Sequence, residues 1–303
     1  MAFWATAQGA AMHPVLFRQG PIVIYSHDFF TTLGLLAGLA LYYYELRRRD
    51  MLSWQIICIS VAAILGGGIG ARTITAWEHL SYYANSAGVP LSYLISHSGK
   101  SIIGGLAGGY LAITLSKRAL GYRHSTGDCY AAAIPLALVI GRIGCFLAEL
   151  PLGTPTNLPW GISASEEAAS RFASCPGCTE KMHPSMIYEI IFHLIALIVI
   201  ARYRKHVLLQ GDTLKIYLLI SAVFRFLVEF VRANPEQIGG LSGPQIVLIP
   251  LTGLLVWHFA RNWRRGLYRM PAAPVAAGAP AIAQATSRVR RAPGARRYSA
   301  DEA

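Results

Sequence analysis

Seven stretches of this chain are long and apolar enough to cross a bilayer, and this limits the folds open to it more than any other feature. They run roughly over 22–45, 52–74, 101–116, 129–148, 185–201, 213–231 and 244–260. A bilayer core about 30 Å thick is spanned by a helix of about 20 residues. Inside it every backbone polar group must be satisfied within the protein, which favours helices. Composition agrees, since 54% of the 303 residues are hydrophobic and only 14% are charged. The expected fold is all-α, a polytopic membrane helical bundle of about seven transmembrane helices. One membrane domain, 21–265, includes a long outer loop at 151–184. It is preceded by a short extracytoplasmic segment, 1–20, and followed by a basic cytoplasmic tail, 266–303, whose Ala, Pro and Arg content reads as disordered.

Lys and Arg in the loops set the expected orientation. Arg47, Arg48 and Arg49 follow the first span, Lys117, Arg118 and Arg123 the third, Arg202, Arg204 and Lys205 the fifth, and Arg261, Arg264 and Arg265 the last. Residues 75–99 carry no Lys or Arg, and 151–184 carry only Arg171 and Lys181. The N-terminus is therefore expected outside and the C-terminus in the cytoplasm. The net charge of +12 is largely this topology, and tail arginines such as Arg290 and Arg291 suit an anionic leaflet of membrane lipids. A nucleic-acid partner is not expected, because no coherent basic face with aromatic platforms is present. A signal peptide is not expected in residues 1–20.

Ions placed inside these apolar stretches are the chemical signal. In "SAVFRFLVEFVR" (221–232), Arg225, Glu229 and Arg232 share one stripe of a helix. Ions facing lipid tails are costly, so the stripe should face the bundle interior or a wet cavity. The bland account is an Arg–Glu pair that locks helices together. Two arginines against one carboxylate, however, leave excess positive charge and point to an incoming anion. "GRIGCFLAEL" (141–150) places Arg142 in a span, with Gly141 and Gly144 clearing space and Glu149 near the outer end. Arg72 lies near the outer end of the second span. Arginine's planar fork binds phosphate oxygens bidentately and keeps its charge. Several convergent arginines fit a phospholipid headgroup; an anion path is the alternative.

Other features leave two accounts open. The glycines of "LGGGIG" (65–70) and "IGGLAGG" (103–109), Gly104 and Gly105 among them, either let helices approach closely or leave room and free N–H groups for a headgroup. In "KMHPSMIYEI" (181–190), Pro184 suits a first helical turn, and His183, Tyr188 and Glu189 are either interfacial anchors or groups near a substrate. Cys175 and Cys178 of the outer loop are a candidate disulfide, since an outside face is oxidising. A metal site is not expected, because a fourth ligand beside these two and His183 is missing. Cys58, Cys129 and Cys145 read as small packing residues. No P-loop, dinucleotide fingerprint or serine-hydrolase elbow is present, so no cofactor is implied.

"GPIVIY", "GARTITAW", "SIIGGLAGG", "GRIGCF", "HPSMIYE", "FRFLVEFVR" and "SGPQIVLIP", in this order and spacing over roughly 20–260, resemble the prolipoprotein diacylglyceryl transferases of the bacterial inner membrane. The resemblance implies a multi-pass enzyme that moves a diacylglyceryl group from phosphatidylglycerol to the lipobox cysteine of preprolipoprotein signal peptides. Arg142 would hold the lipid phosphate, Arg225 and Glu229 would form the essential pair, and Arg232 and Arg72 would support them. His183, Tyr188 and Glu189 would position substrate or other side chains. The family's histidine before the paired glycines is replaced here by Ile103, which cannot move a proton. His27 or His97 would then serve as base, as histidine accepts a proton near neutral pH. His27 stands near a family tyrosine position and Cys145 near a family asparagine. Transfer to another acceptor, or lipid binding without catalysis, are the alternatives left by the missing histidine.

Overall fold

A computed structural model of the chain describes residues 14–20, 22–78, 102–149, 152–163, 181–203, 209–232 and 236–268. Two short strands open it, β1 (Val15–Gln19) and β2 (Ile22–Tyr25), paired antiparallel across Gly20, which has φ +56°. The first span, expected from 22, therefore starts as a strand. Its "IVIY" is β-branched and aromatic, which suits extended chain. Seven helices of eighteen or more residues follow among the described residues: α1 (Ser26–Arg48), α2 (Trp54–Glu78), α3 (Ile102–Ala119), α4 (Gly127–Leu147), α5 (Ser185–Tyr203), α6 (Asp212–Glu229) and α7 (Gly243–Arg264). Between α6 and α7 lies a second hairpin, β3 (Glu236–Ile238) with β4 (Leu241–Ser242). Apart from these hairpins and three isolated bridges, Gly153–Arg232, Pro155–Met182 and Ile162–Met182, the regular structure of the described residues is helical.

Five helices among the described residues are long and apolar enough to cross a membrane: α1, α2 over Trp54–Thr73, α4, α5 and α7. This is a polytopic helical membrane protein. The sixth helix is as long as a minimal span but carries Asp212 and Lys215 in its first turn and Arg225 and Glu229 within its last five residues. These ions dilute its apolar content. The polarity of the bundle is inside out: Glu45, Arg142, Glu149, Glu189, His193 and Glu229 are buried, while Leu36, Ile57, Leu65, Ile69, Ile198 and Leu254 are exposed. That arrangement is stable only where the outer face meets lipid.

Two compact units divide the chain, Met1–His258 and Phe259–Ala303. Within the first, α4 is the hub, packing against α1, α5 and α6, while α2 packs on α3. The α1–α4 contact is antiparallel and built on small residues. A side chain on Gly34 would meet Ala137 O at 2.6 Å, and one on Gly38 would meet Ala133 O at 3.1 Å. At one end Tyr42 stacks on Tyr130, and Glu45 receives Arg48 at 2.7 Å and Arg49 at 3.3 Å. At this same end Asp128 caps α6 from a different helix. Its carboxylate accepts the Gly211 and Thr213 N–H groups at 2.9 and 3.2 Å, so an acid at the α6 N-terminus satisfies donors left open there. This end also holds a largely apolar cavity of about 90 Å³, lined by Leu41, Ala132 and Leu197 beside Glu45 and Arg49.

Glycine packing explains the α2–α3 pair. A Cβ on Gly70 would collide with Gly104 O and lie 2.9 Å from Gly108 Cα, whereas one on Gly68 would meet nothing within 4 Å. In thermal melts of the purified protein in detergent, Gly70→Ala is expected to lose about 1–3 kcal/mol through overpacking. Gly68→Ala should be neutral or gain up to about 1 kcal/mol from helix propensity. Equal midpoints for the two variants would contradict this packing.

Candidate functional site

At the other end of α4, the buried ions form one alternating chain. Arg142 Nη2 lies 2.5 Å from Glu189 Oε2, and Glu189 Oε1 accepts from Arg232 Nη1 at 2.9 Å. Arg232 Nε lies 3.8 Å from Glu229 Oε2, the oxygen that Arg225 Nη1 approaches at 2.5 Å. The order is Arg142, Glu189, Arg232, Glu229, Arg225, drawn from α4, α5 and the end of α6. Arg225 and Glu229 are one helical turn apart. Arg232 joins them because the chain tightens after α6, with Arg232 N–H donating to Glu229 O at 3.1 Å.

The stripe expected from the sequence is thus present, with one correction to its charge balance. Glu189, from α5, supplies a second carboxylate, and Arg142 a third cation. Three guanidinium groups face two carboxylates, so one excess positive charge remains if all are ionised. The Nε atoms of Arg142 and Arg232 are buried without a hydrogen-bond partner among the described residues. Arg142 and Arg232 side chains are 9% and 8% exposed, whereas Arg225 is 21% exposed. Buried charges with unused donors are costly and call for a further acceptor.

Local sequence explains how the acids are held. "SGPQ" (242–245) forms half of a capping box at the start of α7: Gln245 Oε1 accepts the Ser242 N–H at 2.9 Å. The Ser242 hydroxyl, not used on its own helix, donates to Glu229 Oε1 at 2.8 Å, and Gln245 Nε2 donates to Phe226 O at 3.2 Å. The segment that follows α4 then closes over this end. Gly153 N–H donates to His183 O and Thr154 N–H to Val231 O, both at 2.8 Å. Gly153 admits no side chain, since a Cβ would collide with Val231 O and lie 2.7 Å from His183 Cβ.

The remaining sequence candidates divide. His27 is brought beside Cys145, since its Cα lies 3.3 Å from where a Cβ on the adjacent Gly144 would stand, and Arg142 Nη1 donates to the Cys145 sulfur at 3.8 Å. Glu189 belongs to the ionic chain itself rather than to its surroundings. His183 and Tyr188 form a neighbouring set, with the Tyr188 hydroxyl 3.1 Å from His183 Nδ1 and accepting Trp160 Nε1–H at 2.9 Å. Pro184 immediately precedes α5, as its fixed φ suits. Arg72 is on α2 and is not one of the five chain members. Gly104 and Gly105 lie at the α2–α3 contact, where packing accounts for them. Gly144 makes room for α1, not for Arg142: a Cβ there would lie 2.7 Å from Phe30 Cβ. Gly141 is the one beside open space. Cys175, Cys178 and His97 lie outside the described residues. Sequence reasoning missed Ser242, Gln245 and Trp160; Cys145, expected as a packing residue, does pack against Leu152, Ile162, Met182 and Met186 and also meets Arg142. Of these only the S-x-x-Q spacing carried a local signal.

A family model described as prolipoprotein diacylglyceryl transferase matches residues 14–261. The chain belongs to this family. Relatives named phosphatidylglycerol–prolipoprotein diacylglyceryl transferase include one from Wolbachia pipientis subsp. Culex pipiens, 29% identical over 277 residues, which cover 84% of this chain and 97% of the relative. One from Nitratidesulfovibrio vulgaris is 32% identical, over 74% of this chain and 79% of its own length. One from Clostridioides difficile is 28% identical, over 82% and 94%. The family match covers every residue of the ionic chain.

Glu189 is the acid on which the chain turns. Glu189→Gln leaves Arg142 and Arg232 facing one another across a neutral amide. Breaking a buried pair in this way is expected to cost about 3 kcal/mol or more, read as a lowered melting midpoint in detergent. A midpoint equal to that of the parent protein would show that Glu189 does not bridge the two cations.

Proposed function

We propose that this chain is a transferase of lipoprotein biogenesis, moving a diacylglyceryl group from phosphatidylglycerol to the lipobox cysteine thiol of a preprolipoprotein in the bacterial inner membrane. The supporting observation is the positively unbalanced ionic chain with buried, unused guanidinium donors. Its position suits a headgroup. At about 1.5 Å per residue, Arg142, Glu189 and Arg225 lie roughly 6–8 Å inside the ends of their helices, not at mid-bilayer. Arg48, Arg49, Lys117 and Lys215 stand at the other end of the bundle, which supports a cytoplasmic position for that end and an outer position for the ionic chain. On this reading all seven helices cross the membrane, the N-terminus is outside, and the membrane domain spans 21–265 between the segments 1–20 and 266–303.

The chemistry follows from charge. Arg142, with Arg232, takes the lipid phosphate into the gap in the charge balance. The Arg225–Glu229 pair holds the cationic face in place and leaves Arg225, the most exposed of the three arginines, toward the leaving group. The thiol of the acceptor loses its proton to His27, and its sulfur attacks the glyceryl carbon that carries the phosphate ester. The C–O bond breaks, and its electron pair departs on glycerol phosphate, whose charge the guanidinium groups stabilise. The products are a thioether and glycerol phosphate. The thiolate is the competent nucleophile, so a nearby base raises the rate.

The test is mass spectrometry of a lipobox peptide incubated with the purified protein and phosphatidylglycerol. Diacylglyceryl-peptide and glycerol phosphate are expected from the parent protein. Arg142→Ala and Arg225→Ala are expected to lower the yield by about 100-fold or more, as for removal of a group that stabilises developing charge. Unmodified peptide with the parent protein, or anion flux in liposomes without a covalent product, would overturn the proposal.

A further inference from the structure

Cys145 is the one thiol among the described residues with a contact to a member of the ionic chain, Arg142. The backbone also sets it beside His27. Gly144 lets the first turn of α1 lie directly on α4, with Ser26 O 3.1 Å and His27 Cα 3.3 Å from where a Cβ would stand. Ser26 N–H in turn donates to Pro14 O at 2.9 Å, which ties that turn to the start of β1. The residue after Gly144 thus faces the residue after Ser26. The His27 side chain therefore starts beside the Cys145 sulfur, and its Nδ1 lies 3.5 Å from Asp28 Oδ1. On the other side the sulfur accepts from Arg142 Nη1 at 3.8 Å. Arg142 also keeps its buried Nε without a partner, so the cation beside this sulfur has capacity for a further acceptor.

Building on the transferase function proposed above, we infer that Cys145 is a positioning residue: its sulfur fixes the His27 imidazole next to Arg142, so that base and phosphate-holding cation stand on either side of one atom. The His27 side chain is 32% exposed, open enough to meet an incoming thiol. Without the Cys145 contact the ring rotates about two side-chain bonds, with Asp28 as its remaining polar neighbour. Sulfur suits the position. It accepts from a guanidinium and exchanges a proton with an imidazole, and it is soft enough to pack against the apolar cluster of Leu152, Ile162, Met182 and Met186 on which Cys145 also borders.

Packing alone and positioning predict opposite orders of substitution. If Cys145 only fills space, Cys145→Val and Cys145→Ala are tolerated at least as well as Cys145→Ser. If it positions His27, serine keeps a polar contact with His27 and Arg142, and the other two lose it. The full-length protein is assayed in phosphatidylglycerol-containing micelles with a lipobox peptide, and kcat and KM are measured for each variant. Ala and Val are expected to lower kcat about tenfold, the worth of a hydrogen bond involving a charged group, with KM for phosphatidylglycerol little changed. Serine is expected to restore most of kcat. Separately, N-ethylmaleimide labelling of Cys145, followed by peptide mass spectrometry, is expected to slow in His27→Ala. Equal kcat for Ala, Val and Ser, or labelling of Cys145 unaffected by His27→Ala, would overturn the inference. No product from the parent protein would instead overturn the transferase function, and the labelling would still report on the His27–Cys145 contact.

Discussion

Three guanidinium groups held by two carboxylates, within a bundle whose outer surface is hydrocarbon, are the interaction on which the rest of this structure depends. A lone buried ion in such a place is expensive, and a neutral pair gives a ligand nothing to neutralise. An odd-numbered chain does both things at once. Each arginine has a carboxylate close by, so the helices assemble without a substrate. The sum over these five groups remains one positive charge in excess if all are ionised, and the Nε atoms of Arg142 and Arg232 have no hydrogen-bond partner among the described residues. On the proposed function, a lipid phosphate fills this gap. Arg232 is the member that makes it one site, since it alone approaches both Glu189 and Glu229.

The scaffold serves that chain at several levels. Asp128 caps α6 from α4 at one end of the bundle, which fixes how α6 lies along the hub. At the other end the Gln245 side chain satisfies the α7 start and frees the Ser242 hydroxyl for Glu229. The segment 152–156 threads between the residues that precede α5 and those that follow α6, and Gly153 is small enough to pass. These contacts hold five ions within hydrogen-bonding and ion-pairing distance, where a shift of one ångström changes which partner each nitrogen finds.

Much of this was legible in the sequence, because spacing within one helix is local information. Arg225, Glu229 and Arg232 fall on one stripe by periodicity alone, and the cost of ions in lipid says that the stripe turns inward. Pro184 marks the start of α5 for the same kind of reason. What was not legible lies between helices. Glu189 and Arg142 are on different spans, and nothing local distinguishes a bridging glutamate from an interfacial one. Spacing within α6 therefore yields three of the five ions, with the same excess of one positive charge. Cys145 looked like a packing residue because its two polar neighbours come from α1 and from one turn earlier on α4. Gly144 was credited with clearing space for an arginine, whereas it admits a neighbouring helix. The strand at 22–25 was absorbed into a span because apolar β-branched residues serve both.

The most direct measurement is the position of the lipid phosphorus in a structure of the full chain with phosphatidylglycerol bound. The account predicts the phosphate within hydrogen-bonding distance of the Arg142 and Arg232 guanidinium groups, using the Nε donors that the protein leaves open. A phosphate seated elsewhere, with the five ions unchanged and those donors still unused, would contradict it.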